Sequence, residues 1–135
     1  MNMFKKNEGF TLVELIVVIA ILAILAAVAV PAYSGYITKA EESKDLTQLD
    51  AIKTAAVFAY TEAAVAAGDE VENVESIKVV TGDNAAVYVN GVTADDIVDI
   101  SDYTTPFAPN SDKYAGGATW DGDGWEGIAA PAEGE

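Results

Sequence analysis

Leu15 to Val30 is an unbroken run of sixteen apolar residues, and a chain that carries such a run must hide it from water. Counted from Phe10 the stretch covers 21 positions, with Glu14 as its one charge. At about 1.5 Å per residue, a helix of that length crosses one bilayer. The nine residues before it, MNMFKKNEG, are polar and carry Lys5 and Lys6. Basic flanks stay on the cytoplasmic side, so the rest of the chain is expected outside. A secretory signal peptide would also start with lysines and an apolar run, and would be cut within the Ala-rich stretch 27–32. Here the helical pattern continues directly beyond the run, and that alternative gives no role to Gly9, Phe10 and Glu14 together.

Residues 32–67 remain compatible with a helix but become amphipathic. Leu46, Leu49, Ile52, Ala56, Val57, Ala59 and Tyr60 recur at the spacing of one face. Glu41, Glu42, Lys44, Asp45, Asp50, Lys53 and Glu62 are assigned to the solvated face. Gly68 and Asp69 form a stop signal. One helix over about residues 10–67 would be roughly 85 Å long. Pro31 removes a backbone donor and Gly35 weakens the helix beside it, so a bend or a meltable stretch is expected over 28–36.

After residue 70 the period changes. Ile77–Thr81 and Ala85–Val89 read as strands joined by Gly82, Asp83 and Asn84. Thr93 and Asp96 have capping-box spacing for a short helix over about 94–99. Residues 102–117, with Pro106, Pro109, Gly116 and Gly117, read as a loop. Ala118–Trp120 and Trp125–Ala129, split by DGDG, read as a second hairpin. The expected organisation is therefore a leader over 1–9, a membrane helix over 10–31 and an amphipathic helix over 32–67. A β-rich head over 70–130 and a flexible tail over 131–135 follow. The fold class is α+β, a long kinked helix packed by its second half on a small antiparallel sheet.

The charge is as segregated as the hydropathy. The chain has 22 acidic residues against 7 lysines, with no His, Cys or Arg. Beyond residue 67, fifteen carboxylates face only Lys78 and Lys113. Such a head repels phosphate backbones, so direct nucleic-acid binding is disfavoured. Without His or Cys the usual zinc ligands, thiolate nucleophiles and imidazole bases are missing, and paired carboxylates on an acidic surface are weak grounds for catalysis. A disulfide staple is excluded, and Trp120 and Trp125 are the expected packing residues for the C-terminal segment.

The order Gly9, Phe10, Thr11, Leu12, Val13, Glu14, then an apolar helix interrupted at Pro31, resembles the type IV pilin and pseudopilin family over roughly residues 5–60. The resemblance implies cleavage of Gly9–Phe10 by a membrane-embedded prepilin peptidase and N-methylation of the new Phe10 amine. It also implies that Glu14 pairs with that amine in a neighbouring copy during assembly. Its other implied partners are copies of itself in a helical homopolymer, minor pilins, and an inner-membrane platform with its assembly ATPase. The subunit would sit in the membrane before assembly and in a cell-surface filament afterwards, serving adhesion, motility or DNA uptake. A pseudopilin of a type II secretion or competence system fits the same residues, and a membrane-tethered binding module is a third reading. In lipid, Ala20, Ala23, Ala26, Ala27 and Ala29 let helices approach closely.

Three further features invite functional readings. Asp121, Asp123 and Glu126 around two glycines have the oxygen chemistry of a calcium site, although Asp-Gly pairs equally suit a hairpin turn. No other cofactor is expected. Tyr33, Tyr36, Phe58 and Tyr60 suit an interfacial belt and core packing better than charge transport. Lys39, Lys44, Lys53, Lys78 and Lys113 are all candidates for ion pairs between copies.

Overall fold

The computed structural model describes residues 9–130, except positions 84 and 92. The leader lysines Lys5 and Lys6, the turn residue Asn84 and the tail 131–135 lie outside the described residues. One α-helix, α1, runs Leu12–Ala67. Four short strands follow: β1 (Ile77–Val80), β2 (Ala86–Val89), β3 (Gly117–Trp120) and β4 (Trp125–Ile128). They form one antiparallel sheet in the order β2-β1-β3-β4. The α+β arrangement and both hairpins thus match the sequence reading.

The chain divides into two compact units, residues 1–37 and 38–135. In the first, every described residue is exposed, including Phe10 at 85% and Val28 at 74%. Among the described residues α1 is the one helix long and apolar enough to cross a membrane. Its helical assignment continues through Pro31 and Gly35 without a break. Pro31 has no N–H to offer the Ala27 carbonyl, and the Ser34 hydroxyl donates to the Pro31 carbonyl at 2.9 Å.

In the second unit, α1 buries a stripe that alternates three- and four-residue steps: Asp45, Leu49, Ile52, Ala56 and Ala59, with Ala55 beside it. Strand residues Ile77, Val79, Val87, Val89 and Ala118 meet that stripe, and Ile100 and Tyr114 complete the core. The β3 strand starts at Gly117, whose φ of +115° and close approach to the Val79 carbonyl leave no room for a side chain. α1 ends in a Schellman motif: Gly68, at φ +79°, donates to Val65 O at 3.2 Å and Asp69 donates to Ala64 O at 3.0 Å.

The structure corrects four expectations. Leu46 and Val57, expected inside, are each 37% exposed. The helix expected over 94–99 is a single 3-10 turn, Ala94–Asp96. Its capping contact exists, with the Thr93 N–H and hydroxyl donating to Asp96 Oδ2 at 2.8 and 2.6 Å. The open edge of β2 then takes the backbone: Ile97 bridges Tyr88, and Val98 donates to Val87 O at 2.9 Å. The expected loop 102–117 holds a second 3-10 turn, Asp112–Tyr114, because Tyr114 is drawn into the core. Trp120 and Trp125 are themselves strand residues, paired across the second hairpin. They fasten it to α1: Trp125 Nε1 donates to Asp50 Oδ1 at 3.0 Å, and Lys53 Nζ lies 5.1 Å from the centre of the Trp120 ring.

The fourth correction concerns Asp45, assigned from sequence to the solvated face and in fact fully buried. One carboxylate oxygen accepts from Asn110 N and Nδ2 at 2.7 and 2.8 Å. The other accepts from Ser111 N and Oγ at 2.8 and 2.7 Å. Gln48, one turn on, exchanges two 3.3 Å hydrogen bonds with the backbone of Ala108. Burial pushes the Asp45 pKa up, but the hydrogen bonds from Asn110 and Ser111 outweigh it and hold the carboxyl below its ordinary 3.8. Stability from this clasp is therefore complete above the ordinary carboxylate range and is lost as pH falls through the lower folded value. Asp45→Ala would strand the buried N–H and hydroxyl of Ser111, at about 1–3 kcal/mol each, and would remove the two hydrogen bonds from Asn110. The expected outcome is a loss of about 3 kcal/mol in urea unfolding of the detergent-solubilised chain, followed by tryptophan fluorescence. An unchanged midpoint would mean that the clasp adds no stability.

Candidate functional site

The start of α1 is built by residues three apart. Thr11 precedes the first helical residue, and its Oγ1 accepts from the Glu14 N–H at 3.2 Å. Glu14 Oε2 in return accepts from the Thr11 N–H at 3.0 Å. This reciprocal pair is a capping box, satisfying two of the donors that a helix start leaves open. It also sets a carboxylate at the positive end of the helix dipole. The sequence reading gave Glu14 a role toward another copy and missed this one, although a Thr-x-x-Glu pattern before an apolar run is its recognised signal.

The cap decides what precedes the helix. Gly9, Phe10 and Thr11 are non-helical and exposed, and nothing lies within 4 Å of where a Gly9 side chain would start. Among the described residues the Gly9–Phe10 bond is thus non-helical and sterically open. Lys5 and Lys6 lie outside the described residues, so this geometry concerns Gly9, Phe10, Thr11 and Glu14. Pro31 and Gly35 are the helix-weakening positions farther along, and nothing lies within 4 Å of a side chain built at Gly35.

The acidic turn in the head is organised differently from a ligand shell. Asp121 Oδ1 accepts from the N–H groups of Asp123 and Gly124 at 3.2 and 3.3 Å, closing the β3–β4 turn. Those backbone hydrogen bonds, Asp123 first, lower the Asp121 pKa. Glu126 sits on β4 opposite Thr119. Among the described residues no three His, Cys, Asp or Glu side chains form a group that could hold a metal ion. The aromatic set is scattered as well: Phe58 meets Tyr103 edge-on at 5.2 Å, Tyr60 packs against the core, and Tyr33 and Tyr36 are exposed in the first unit.

Residues 4–30 match the family model described as the prokaryotic N-terminal methylation motif. No curated protein and no solved structure matches the chain. The matched segment contains Gly9, the capping box and the whole apolar run Leu15–Val30.

Replacing Thr11 by Ala removes the side-chain half of the box, a change worth about 1 kcal/mol at a helix start. Amide exchange at Val13 and Glu14 in micelles should then quicken by several-fold, with little change beyond Ile21, and Thr11→Ser should restore protection. Equal exchange in Thr11→Ala and the parent chain would rule the cap out as the element that fixes the helix start.

Proposed function

We propose that this chain, which carries the prepilin-type N-terminal signature, is a structural subunit of a type IV pilus, made as a precursor and polymerised through α1. One observation supports the reading above the others. An exposed, non-helical Gly9–Phe10 bond stands directly before a capped helix whose carboxylate, Glu14, faces the end that cleavage would create. Prepilin peptidase would cut that bond and methylate the amine of Phe10. The protein is then the substrate of the chemistry, and its own task is assembly.

The physical sequence is direct. Before assembly the run from Leu15 to Val30 resides in lipid, with the head outside. Moving it from lipid to filament replaces lipid contacts with contacts to other copies' helices, which small residues make close. Carrying Glu14 through hydrocarbon costs roughly 3 kcal/mol near the bilayer centre. Pairing with the Phe10 ammonium of a neighbouring copy offsets that cost and gives the addition a direction. The platform, its ATPase and minor pilins supply the movement and the start of the filament, and adhesion, motility or DNA uptake would be its use. Pro31, Gly35 and the Ser34 hydroxyl mark where the helix can loosen during that transfer.

Mass spectrometry of filaments sheared from cells should find a chain beginning at Phe10 with one N-terminal methyl. The same processed chain confined to the envelope would favour a pseudopilus, and a chain retaining Met1 or beginning near Ala32 would refute the cleavage reading. Glu14→Gln is expected to be processed and membrane-bound yet to give at least tenfold fewer filaments. Normal filament yield from that variant would sink the pairing role.

A further inference from the structure

Five lysines lie among the described residues, and three are committed within the subunit. Lys44 donates to Asn110 Oδ1 at 3.3 Å. Lys53 pairs with Asp50 at 4.0 Å and Lys113 with Glu42 at 3.8 Å, each also over an aromatic ring. Lys78 is half-buried in mid-strand between Tyr88 and Thr119, its register partners on β2 and β3. Lys39 is exposed on α1 and has no hydrogen bond, ion pair or ring contact among the described residues. It is the best-placed cation for a partner outside the subunit.

The other end of the same stretch of helix borders an open groove of about 610 Å³. Asp69, Glu70, Glu72, Asp95 and Asp99 line it, all exposed. Tyr60, Ala63 and Ala64 give it an apolar wall. The carboxylates do not converge as a metal-binding group. An apolar wall with dispersed carboxylates instead suits a long aliphatic stem ending in an ammonium group, since a lysine lays its methylenes on apolar surface and keeps its charge at the polar rim.

Lys39 and the groove wall at Ala63 are about 35 Å apart along α1 at 1.5 Å per residue. Two different, complementary patches on one copy make a head-to-tail contact between copies, which repeats into an open filament wherever the rotation does not close a ring. We propose that Lys39 of one copy docks in the acidic groove of a second copy, as a contact between heads in the assembled filament. The contact rests on the filament reading above. It also gives a strongly anionic head a specific attraction where net charge alone would drive copies apart.

The absence of cysteine from the chain makes the test clean. Lys39→Cys and Glu70→Cys, together in the full chain and each alone, would be expressed in the native cell and treated with a short bis-maleimide. The double variant should give a ladder of trimers and higher species, and each single variant should stop at dimers. Sheared or envelope assemblies of the double variant that give no ladder would overturn the contact and leave the filament reading standing. If the parent chain forms no assembly at all, both fall. Should the cysteines block assembly, charge exchange decides. Lys39→Glu should cut filament yield at least tenfold, and adding Glu70→Lys should restore it, whereas full yield from Lys39→Glu, or no recovery in the double variant, would overturn the contact.

Discussion

Residues 12–30 have no cover among the described residues of their own chain, and that constrains where the chain can reside. Leaving one Val, Leu or Ile side chain in water forfeits about 1.5–3 kcal/mol. Summed over the run, the penalty far exceeds the roughly 3 kcal/mol that a carboxylate costs in hydrocarbon. The apolar surface therefore carries Glu14 wherever it goes. Two environments can cover it on all sides, lipid and a bundle of like helices. A subunit that uses them in succession has an anchor and a polymerisation surface in the same residues.

The second unit solves a separate problem, which is to fold without a cysteine. Its strands are only four residues each, and the stretch from Ile100 to Gly117 has little regular pairing of its own. Asp45 compensates. By accepting four hydrogen bonds from two consecutive residues, one side chain ties a distant corner of the chain to α1. A charge so buried is tolerable because its lone pairs are satisfied, and replacing a single partner would leave the others exposed to the cost of burial. Gln48 repeats the tie one turn later, and Trp125 with Asp50 fastens the final hairpin on the same helix.

The features legible in the sequence were those written as local periodicity. The apolar run, the helix stop at Gly68 and both hairpins are fixed by neighbouring residues, and the structure keeps them. Asp45 was misread because its partners are 65 and 66 residues away, and a helical wheel can only assign an aspartate to water. The turn at Ala94–Asp96 was overextended for a related reason: the open edge of β2 is a tertiary partner that no local pattern announces. At the N-terminus, the spacing of Gly9, Phe10 and Glu14 singled out the segment that the methylation-motif family model matches. The link between Thr11 and Glu14 was equally local, yet Glu14 had already been given a partner in another copy.

The observed cap and the proposed pairing of Glu14 are compatible. The capping box uses Oε2, leaving Oε1 with acceptor capacity for a second donor. The cap therefore need not break for the carboxylate to receive an ammonium group. It holds the side chain back along the helix toward Thr11, and so spends the rotamer entropy before a partner arrives. A Glu14 left to wander would have to lose that freedom at the moment of pairing, inside a membrane where each unsatisfied charge is expensive. On this view Thr11 would be the positioning residue for Glu14 in the proposed assembly step.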